Sequence, residues 1–244
     1  IITDYTTEFD RIPEAYKGLL YAEISPLTFS VKVRTGTQLC QLRLRRGSAP
    51  SFETAMRRLH EHAPLVAAEN VNVVDITKTG VAFTVDLVGD ANTGIVGYKA
   101  KHHTDVIDME KVGHYDLHDF WDPLYRQGSN SLILDIDEFY ILASKEAVSV
   151  PPNHAAEMRP YDTFVGEFRV HYAGFFDPGF GNPNGSFAVL EVRTSEVPFN
   201  LEDGQIVARL TYENLNMTPK ITYGSEINSN YQNQGLALSK HFNI

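Results

Sequence analysis

Three stretches hold side chains that could do chemistry on a small polar molecule. The first is FAVLEVRT (187–194), in which Glu191 is the single acid among strand-forming residues. A period of two puts Phe187, Val189 and Glu191 on one face and Ala188, Leu190 and Val192 on the other. If the first face looks inward, burial raises the carboxyl pKa, which suits a general base working near neutral pH. If the second face is the core, Glu191 is a solvated acid. Glu23 has the same two alternatives.

The second stretch is HYAGFFDPGFG (171–181), with four aromatics, three glycines, a proline and one acid. It reads as a β-hairpin with a tight turn at Asp177-Pro178-Gly179, since proline suits the second position of such a turn. It also reads as a hairpin whose backbone hydrogen-bonds a planar ligand under an aromatic cover, because Ala173-Gly174 would let a ligand approach the main chain closely. The third is the tail YGSEINSNYQNQGLALSKHF (223–242). A polar terminus frays; alternatively this one orders over phosphates, with tyrosine and glutamine donating and Lys240 supplying charge.

Other signals are weaker. His102, His103, His114 and His118 lie near Asp105, Asp108 and Asp116, but no standard metal-ligand spacing is met. GFGNPNG is a loop rather than a dinucleotide fingerprint, since no helix follows it. No serine stands in a nucleophile-elbow context.

The elements that must position these residues are mostly strands. Alternating apolar and polar residues mark 29–46, 80–89, 131–144, 167–175, 187–194 and 205–215, with Gly, Pro, Asn and Asp clusters between them, a pattern of barrels and sandwiches. Two segments break it. SFETAMRRLHEH (51–62) has Ser51 as an N-cap candidate and Phe52, Met56 and Leu59 at helical spacing. HYDLHDFWDPLY (114–125) has room for a turn or two of helix before Pro123. The chain also resembles itself: with Glu23 set on Glu191, Gly36 falls on Gly204, Leu39 on Val207 and Leu42 on Leu210, all 168 positions apart. A tandem duplication follows, with residues 1–48 the C-terminal part of a first copy, 49–69 a helical linker and 70–244 a second copy with its tail. The front of the first copy would precede Ile1, and the opening IITDYTTEFD, without Met and already strand-like, agrees with that.

Of 244 residues, 43% are hydrophobic and 21% charged, enough apolar material for a sizeable core. The net charge of −10 argues against a nucleic-acid polymer as partner. No apolar run approaches the ~20 residues of a membrane span, and no signal peptide is visible. A single cysteine, Cys40, excludes an intrachain disulfide and suits a reducing compartment, so the expected location is cytoplasmic.

Four motifs together resemble one family, the 2'-deoxycytidine 5'-triphosphate deaminases, whose fold is shared with trimeric dUTP pyrophosphatases. DEFYILASKEAVSVPPNHAAEM (137–158) is similar to the strand pair before the active segment, VHYAGFFDPGFG (170–181) to the hairpin ending Asp-Pro-Gly, AVLEV (188–192) to the strand bearing the catalytic glutamate, and NYQNQGLALSKHF (230–242) to the closing tail. A duplicated chain resembles the long bacterial form. The resemblance implies an all-β fold, a dUTPase-like distorted barrel or jelly roll, tandem duplicated, with a few short helices. It implies zinc-independent hydrolysis of dCTP to dUTP and ammonia, a supply of dUTP for dTMP synthesis, with Mg²⁺ carried on the substrate triphosphate and no zinc. Glu191 falls on the general base, with Glu23 its equivalent in the first copy. His171, Tyr172, Ala173 and Gly174 fall on the cytosine-reading hairpin, Phe176 and Asp177 near the sugar, and Arg159, Tyr223, Tyr231, Gln234 and Lys240 on triphosphate positions. A homo-oligomer, a trimer by analogy, would build its sites between subunits. Where the family carries two serines and a second arginine this chain has Pro160, Tyr161 and Phe164, so the first copy would donate those groups. The same fold leaves open dUTP pyrophosphatase activity, a bifunctional deaminase–pyrophosphatase, and a non-catalytic nucleotide-binding duplicate.

Overall fold

The structure, a computed structural model, describes residues 2–4, 7, 12–39, 53–67, 74–77, 80–160, 169–170, 174–194, 196–224 and 235–243. Short strands β1 (Ile2–Thr3), β2 (Leu20–Tyr21) and β3 (Val31–Lys32) precede helix α1 (Glu53–His62). Next come β4 (Ile76–Thr77), β5 (Gly80–Asp86), β6 (Ile95–Ala100), β7 (Ile107–Asp108) and β8 (Tyr115–Asp116). Helix α2 (Leu117–Phe120) runs straight into β9 (Trp121–Tyr125). The remaining strands are β10 (Ser131–Leu134), β11 (Phe139–Val148), β12 (His154–Pro160), β13 (Arg169–Val170), β14 (Phe175–Phe176), β15 (Ser186–Arg193), β16 (Phe199–Glu202), β17 (Ile206–Asn214) and β18 (Phe242–Asn243). The described chain is therefore all-β with two short helices, as the alternating pattern requires.

The main sheet runs β13-β15-β11-β5-β17-β12-β14, with β4 beside β5 and the pair β6-β9 joined to β11. Its two ends, β13 and β14, are close in sequence: Val170 ends one and Phe175 begins the other. Five residue steps span at most ~18 Å, less than the width of seven strands laid flat at ~4.8 Å each. The sheet must curl until its ends nearly meet, which is a barrel.

Period two fills that barrel. Val81, Phe83 and Val85 of β5, Tyr140 and Leu142 of β11, Ala188, Leu190 and Val192 of β15 and Ala208, Leu210 and Tyr212 of β17 all enter one core. Met56 on α1, with Leu65 and Val66 after it, joins this core, and Val66 bridges Val148. The segment that reads as a linker in the sequence thus also packs on the barrel wall.

Two features depart from the alternation signal. Only Val31–Lys32 is strand within the described part of 29–46, and residues 40–46 lie outside the described residues. Val31 and Lys32 pair in parallel with Ile107 and Asp108 of β7. The helix at 114–125 stops after Phe120, capped by the Asp116 carboxylate on His118 N. Pro123 then lies within β9, tolerated because β9 pairs on one side with β6 and is otherwise an edge. The proposed cap Ser51 lies outside the described residues.

Phe83 is fully buried, at 0% exposure, whereas Ile133 is 63% exposed. Phe83→Ala should cost about 3–5 kcal/mol and Ile133→Ala less than about 0.5 kcal/mol, read from urea denaturation midpoints; equal losses would place the core elsewhere.

Candidate active site

Strand β15 is the centre of the site because, beyond the exposed Phe187 at its start, side chains pack on both of its faces. Ala188, Leu190 and Val192 face the barrel core. The opposite face carries Phe187, Val189, Glu191 and Arg193, and here a second cluster sits, built from Ala100, Ile107, Phe120, Trp121, Ile141, Leu238 and Phe242. Val189 packs against it, as do Phe29 and Phe139. The two alternatives for Glu191 are thus both partly met. The Ala188-Leu190-Val192 face is the core, yet the glutamate face is not open water.

Glu191 stands directly opposite Ile141 of β11, itself 6% exposed. The carboxyl is half-buried, and desolvation pushes its pKa above the ordinary carboxylate value. Loss of water is the cause acting on it; no neighbouring charge among the described residues contributes. A shift in that direction makes the carboxylate a better proton acceptor than a solvated acid, the property a general base needs. On its other edge β15 pairs with β13, Val170 against Val192. The strand leading into residues 171–174 therefore arrives one position from Glu191.

The far end of that segment is fixed at the other end of the sheet, where, among the described residues, it pairs with β12 rather than closing a hairpin with the chain after the Asp177 turn. Met158 N donates to Gly174 O at 2.9 Å, and Phe175 and Phe176 pair with Glu157 and Ala156. Residues 171–174 thus connect the glutamate strand to β12. His171, Tyr172 and Ala173 lie outside the described residues. Gly174 has φ in the ordinary range, and a Cβ there would meet nothing closer than 3.5 Å. Phe176 is a core residue: its ring lies 4.9 Å from Phe180 and 6.2 Å from Phe83. Asp177 is half-buried and opens the tight turn, its carbonyl accepting from Phe180 N at 3.0 Å. Gly179 needs its φ of +93° and its missing side chain, since a Cβ would come within 2.9 Å of Thr222.

Tyr223 joins this turn. Its N–H donates to Pro178 O at 2.8 Å and its ring lies 5.7 Å from Phe180. Arg159 is exposed, its guanidinium 3.6 Å from Glu157, one residue after the Met158 that holds Gly174. Lys240 is exposed at the edge of the second cluster, where its carbonyl accepts from Gly113 N at 2.9 Å. Tyr231 and Gln234 lie outside the described residues, as do Tyr161 and Phe164. Among the described residues the structure sets Glu191 beside the strand that ends at Val170, and groups Gly174, the Asp177 turn and Tyr223 separately, with Arg159 next to Met158; residues 171–173 between the two groups lie outside the described residues. Glu23 is exposed, in irregular backbone after β2.

The sequence alone does not reveal the second cluster. Phe29 meets Phe120 at 5.5 Å and Trp121 at 5.1 Å, both edge-on, and Phe120 meets Phe242 at 5.3 Å. These residues come from the two ends and the middle of the chain and share no period; the dense FW pair at 120–121 is the one local sign. Among the described residues no group of three or more His, Cys, Asp and Glu could hold a metal ion. No helix among them is long and apolar enough to cross a membrane.

Residues 1–48 match the family model of the 2'-deoxycytidine 5'-triphosphate deaminase N-terminal domain, and residues 52–242 match that of its C-terminal domain. The crystal structure of 2'-deoxycytidine 5'-triphosphate deaminase from Agrobacterium tumefaciens is similar to the chain at 55% identity with a TM-score of 0.63, over 69% of this chain and 49% of that one. The chain therefore spans about half the length of that solved protein. No curated protein matches it.

The raised carboxyl pKa of Glu191 has a consequence for folding. The folded chain binds this proton more tightly than the unfolded chain. The stability it contributes is full below the ordinary carboxylate value and is lost as pH rises through the raised one. Glu191→Gln removes the ionisation. The variant's stability relative to the parent should rise as pH climbs above the ordinary glutamate value of about 4.3, measured by urea unfolding; a difference that does not change with pH would contradict the burial of this carboxyl.

Proposed function

The chain belongs to the 2'-deoxycytidine 5'-triphosphate deaminase family, and on that premise we propose that it takes part in the hydrolytic deamination of dCTP, carried with its Mg²⁺, to dUTP and ammonia. The observation that carries this reading is the placement of Glu191, a half-buried carboxyl with a raised pKa, one position from the strand that enters the hairpin.

Glu191 takes a proton from a water molecule. The resulting hydroxide adds to C4 of cytosine, making a tetrahedral carbon that bears both oxygen and nitrogen. The glutamic acid returns that proton to ring N3 and then carries the proton of the new C4 hydroxyl to the amino group, so that the exocyclic C4–N bond breaks, the C4 carbonyl of dUTP forms and the nitrogen leaves as ammonia. Transfer of this kind contributes ~10²–10⁴ in rate. Zinc deaminases activate the water on a metal held through H-x-E and P-C-x-x-C. This sequence has one cysteine and neither motif, so the carboxylate and hydrogen bonds carry that task.

In this proposal the backbone of His171, Tyr172, Ala173 and Gly174 reads the cytosine edge, and the turn at Phe176-Asp177 faces the sugar. The burial of the Phe176 ring leaves its main chain, rather than its face, for that contact. Arg159, Tyr223, Tyr231, Gln234 and Lys240 serve the triphosphate. Residues 1–48 are the end of a first family domain, 49–69 the linker and 70–244 a second domain, and a homo-oligomer, a trimer by analogy, completes the sites between subunits with serine and arginine groups from the first copy.

The test is ammonia release from Mg²⁺-dCTP by the full-length protein. Glu191→Gln should lower the rate by ~10²–10⁴, with dUTP rather than dCMP and pyrophosphate as the product of the parent. Retained activity in that variant, with loss in Glu23→Gln, would move the site to the first copy.

A further inference from the structure

Arg193 stands two residues beyond Glu191 on the same face of β15, so the two side chains begin roughly 7 Å apart. An arginine stem spans that distance, and an opposite charge within ~4–6 Å lowers a carboxyl pKa by about 1–3 units. The guanidinium is nevertheless turned the other way. Nη1 donates to Asp137 O at 2.9 Å, and Nη2 donates to Leu27 O at 3.3 Å and to Thr28 Oγ1 at 3.4 Å. Its carbon lies 5.6 Å from the centre of the Phe139 ring. Phe139 is the residue opposite Arg193, and Asp137 lies beyond it, whereas Glu191 lies in the other direction, opposite Ile141. Each of these attachments draws the cation away from the carboxyl.

Two of them come from the N-terminal segment, which is fastened independently of Arg193. Phe29 is set edge-on against Phe120 and Trp121. Ser30 O accepts from Ile107 N at 2.9 Å, and Val31 pairs with Ile107. Arg34 grips Asp108 through two bonds of 2.6 and 2.8 Å. Asp137 is equally fixed: it adopts a left-handed φ of 60°, and its N–H donates to Thr194 O at 2.8 Å.

We propose that residues 27–31 are a positioning element for Glu191: by holding Leu27 O and Thr28 against Arg193, they keep the nearest cation on the strand turned away from the carboxyl. This rests on the reading of Glu191 as the proton-transfer group. Arg193 itself is a positioning residue with no contact to substrate. Among the described side chains, those opposite the carboxyl leave Arg193 as the charge to be controlled. Ile141 and Phe139 on β11 are uncharged. Tyr98 of β6 pairs with Ile141, and burial keeps its phenol protonated. Arg169 of β13, which pairs with Arg193, and His171, which follows Val170, are common to every variant below and cancel in the comparison between them.

The experiment is a carbon-13 NMR titration of the full-length protein with labelled glutamate carboxyls, the Glu191 signal being assigned by its loss in Glu191→Gln. Phe29→Ala should release the segment and lower the Glu191 midpoint by about one unit or more. Arg193→Gln should not lower it, and Phe29→Ala combined with Arg193→Gln should restore the parent midpoint. If Phe29→Ala does not fold, Arg193→Lys replaces it: lysine keeps the charge but lacks the planar fork that reaches three acceptors, and the midpoint should fall again. An unmoved midpoint in the folded Phe29→Ala or Arg193→Lys protein, or a lowered one that persists in the double variant, overturns the proposal. The titration reads the carboxyl whether or not dCTP is turned over, so it separates this inference from the deaminase reading, which the ammonia assay decides.

Discussion

A strand covered on both faces is the constraint on which the rest depends. Antiparallel sheets commonly leave one face to water. Here β15 gives Leu190 and Val192 to the barrel and turns its other face towards a second apolar cluster. A carboxyl on that second face loses hydration, and desolvation without a partner favours the neutral form. Glu191 is therefore chemically unusual because of what covers it. The cover is assembled from distant parts of the chain, with Phe29, Trp121, Ile141 and Phe242 among its members.

The sequence is most legible where the local period reports a single physical demand. Alternation locates β5, β15 and β17 nearly to the residue, and helical spacing of Met56 and Leu59 locates α1. The Asp-Pro-Gly turn is legible because proline and glycine leave few other conformations. Alternation also shows that β15 has two unlike faces, but not what lies over the second. That depends on aromatic residues meeting across more than 200 positions, from Phe29 to Phe242. Strand β9 is hidden for a different reason: Pro123 lies inside it, and its tolerance there depends on an edge that only the assembled sheet defines.

The comparison of Glu23 with Glu191 shows how context outranks local pattern. Gly36 and Gly204 occupy the same aligned position and both take positive φ, 93° and 77°. The local turn chemistry is thus alike in the two places. The acids are not. Glu191 lies between two pairing strands under an apolar cover, whereas Glu23 follows a two-residue strand and faces solvent. An acid in phase with apolar neighbours becomes a proton-transfer candidate only when neighbouring strands enclose it.

Trp121 is the sole tryptophan of the chain, and it is 4% exposed within the second cluster. Its indole touches neither the barrel interior nor the Asp-Pro-Gly turn; it meets Phe29, Phe139 and Phe242. The molecule thus carries a built-in optical gauge whose emission colour follows the dryness of the second cluster.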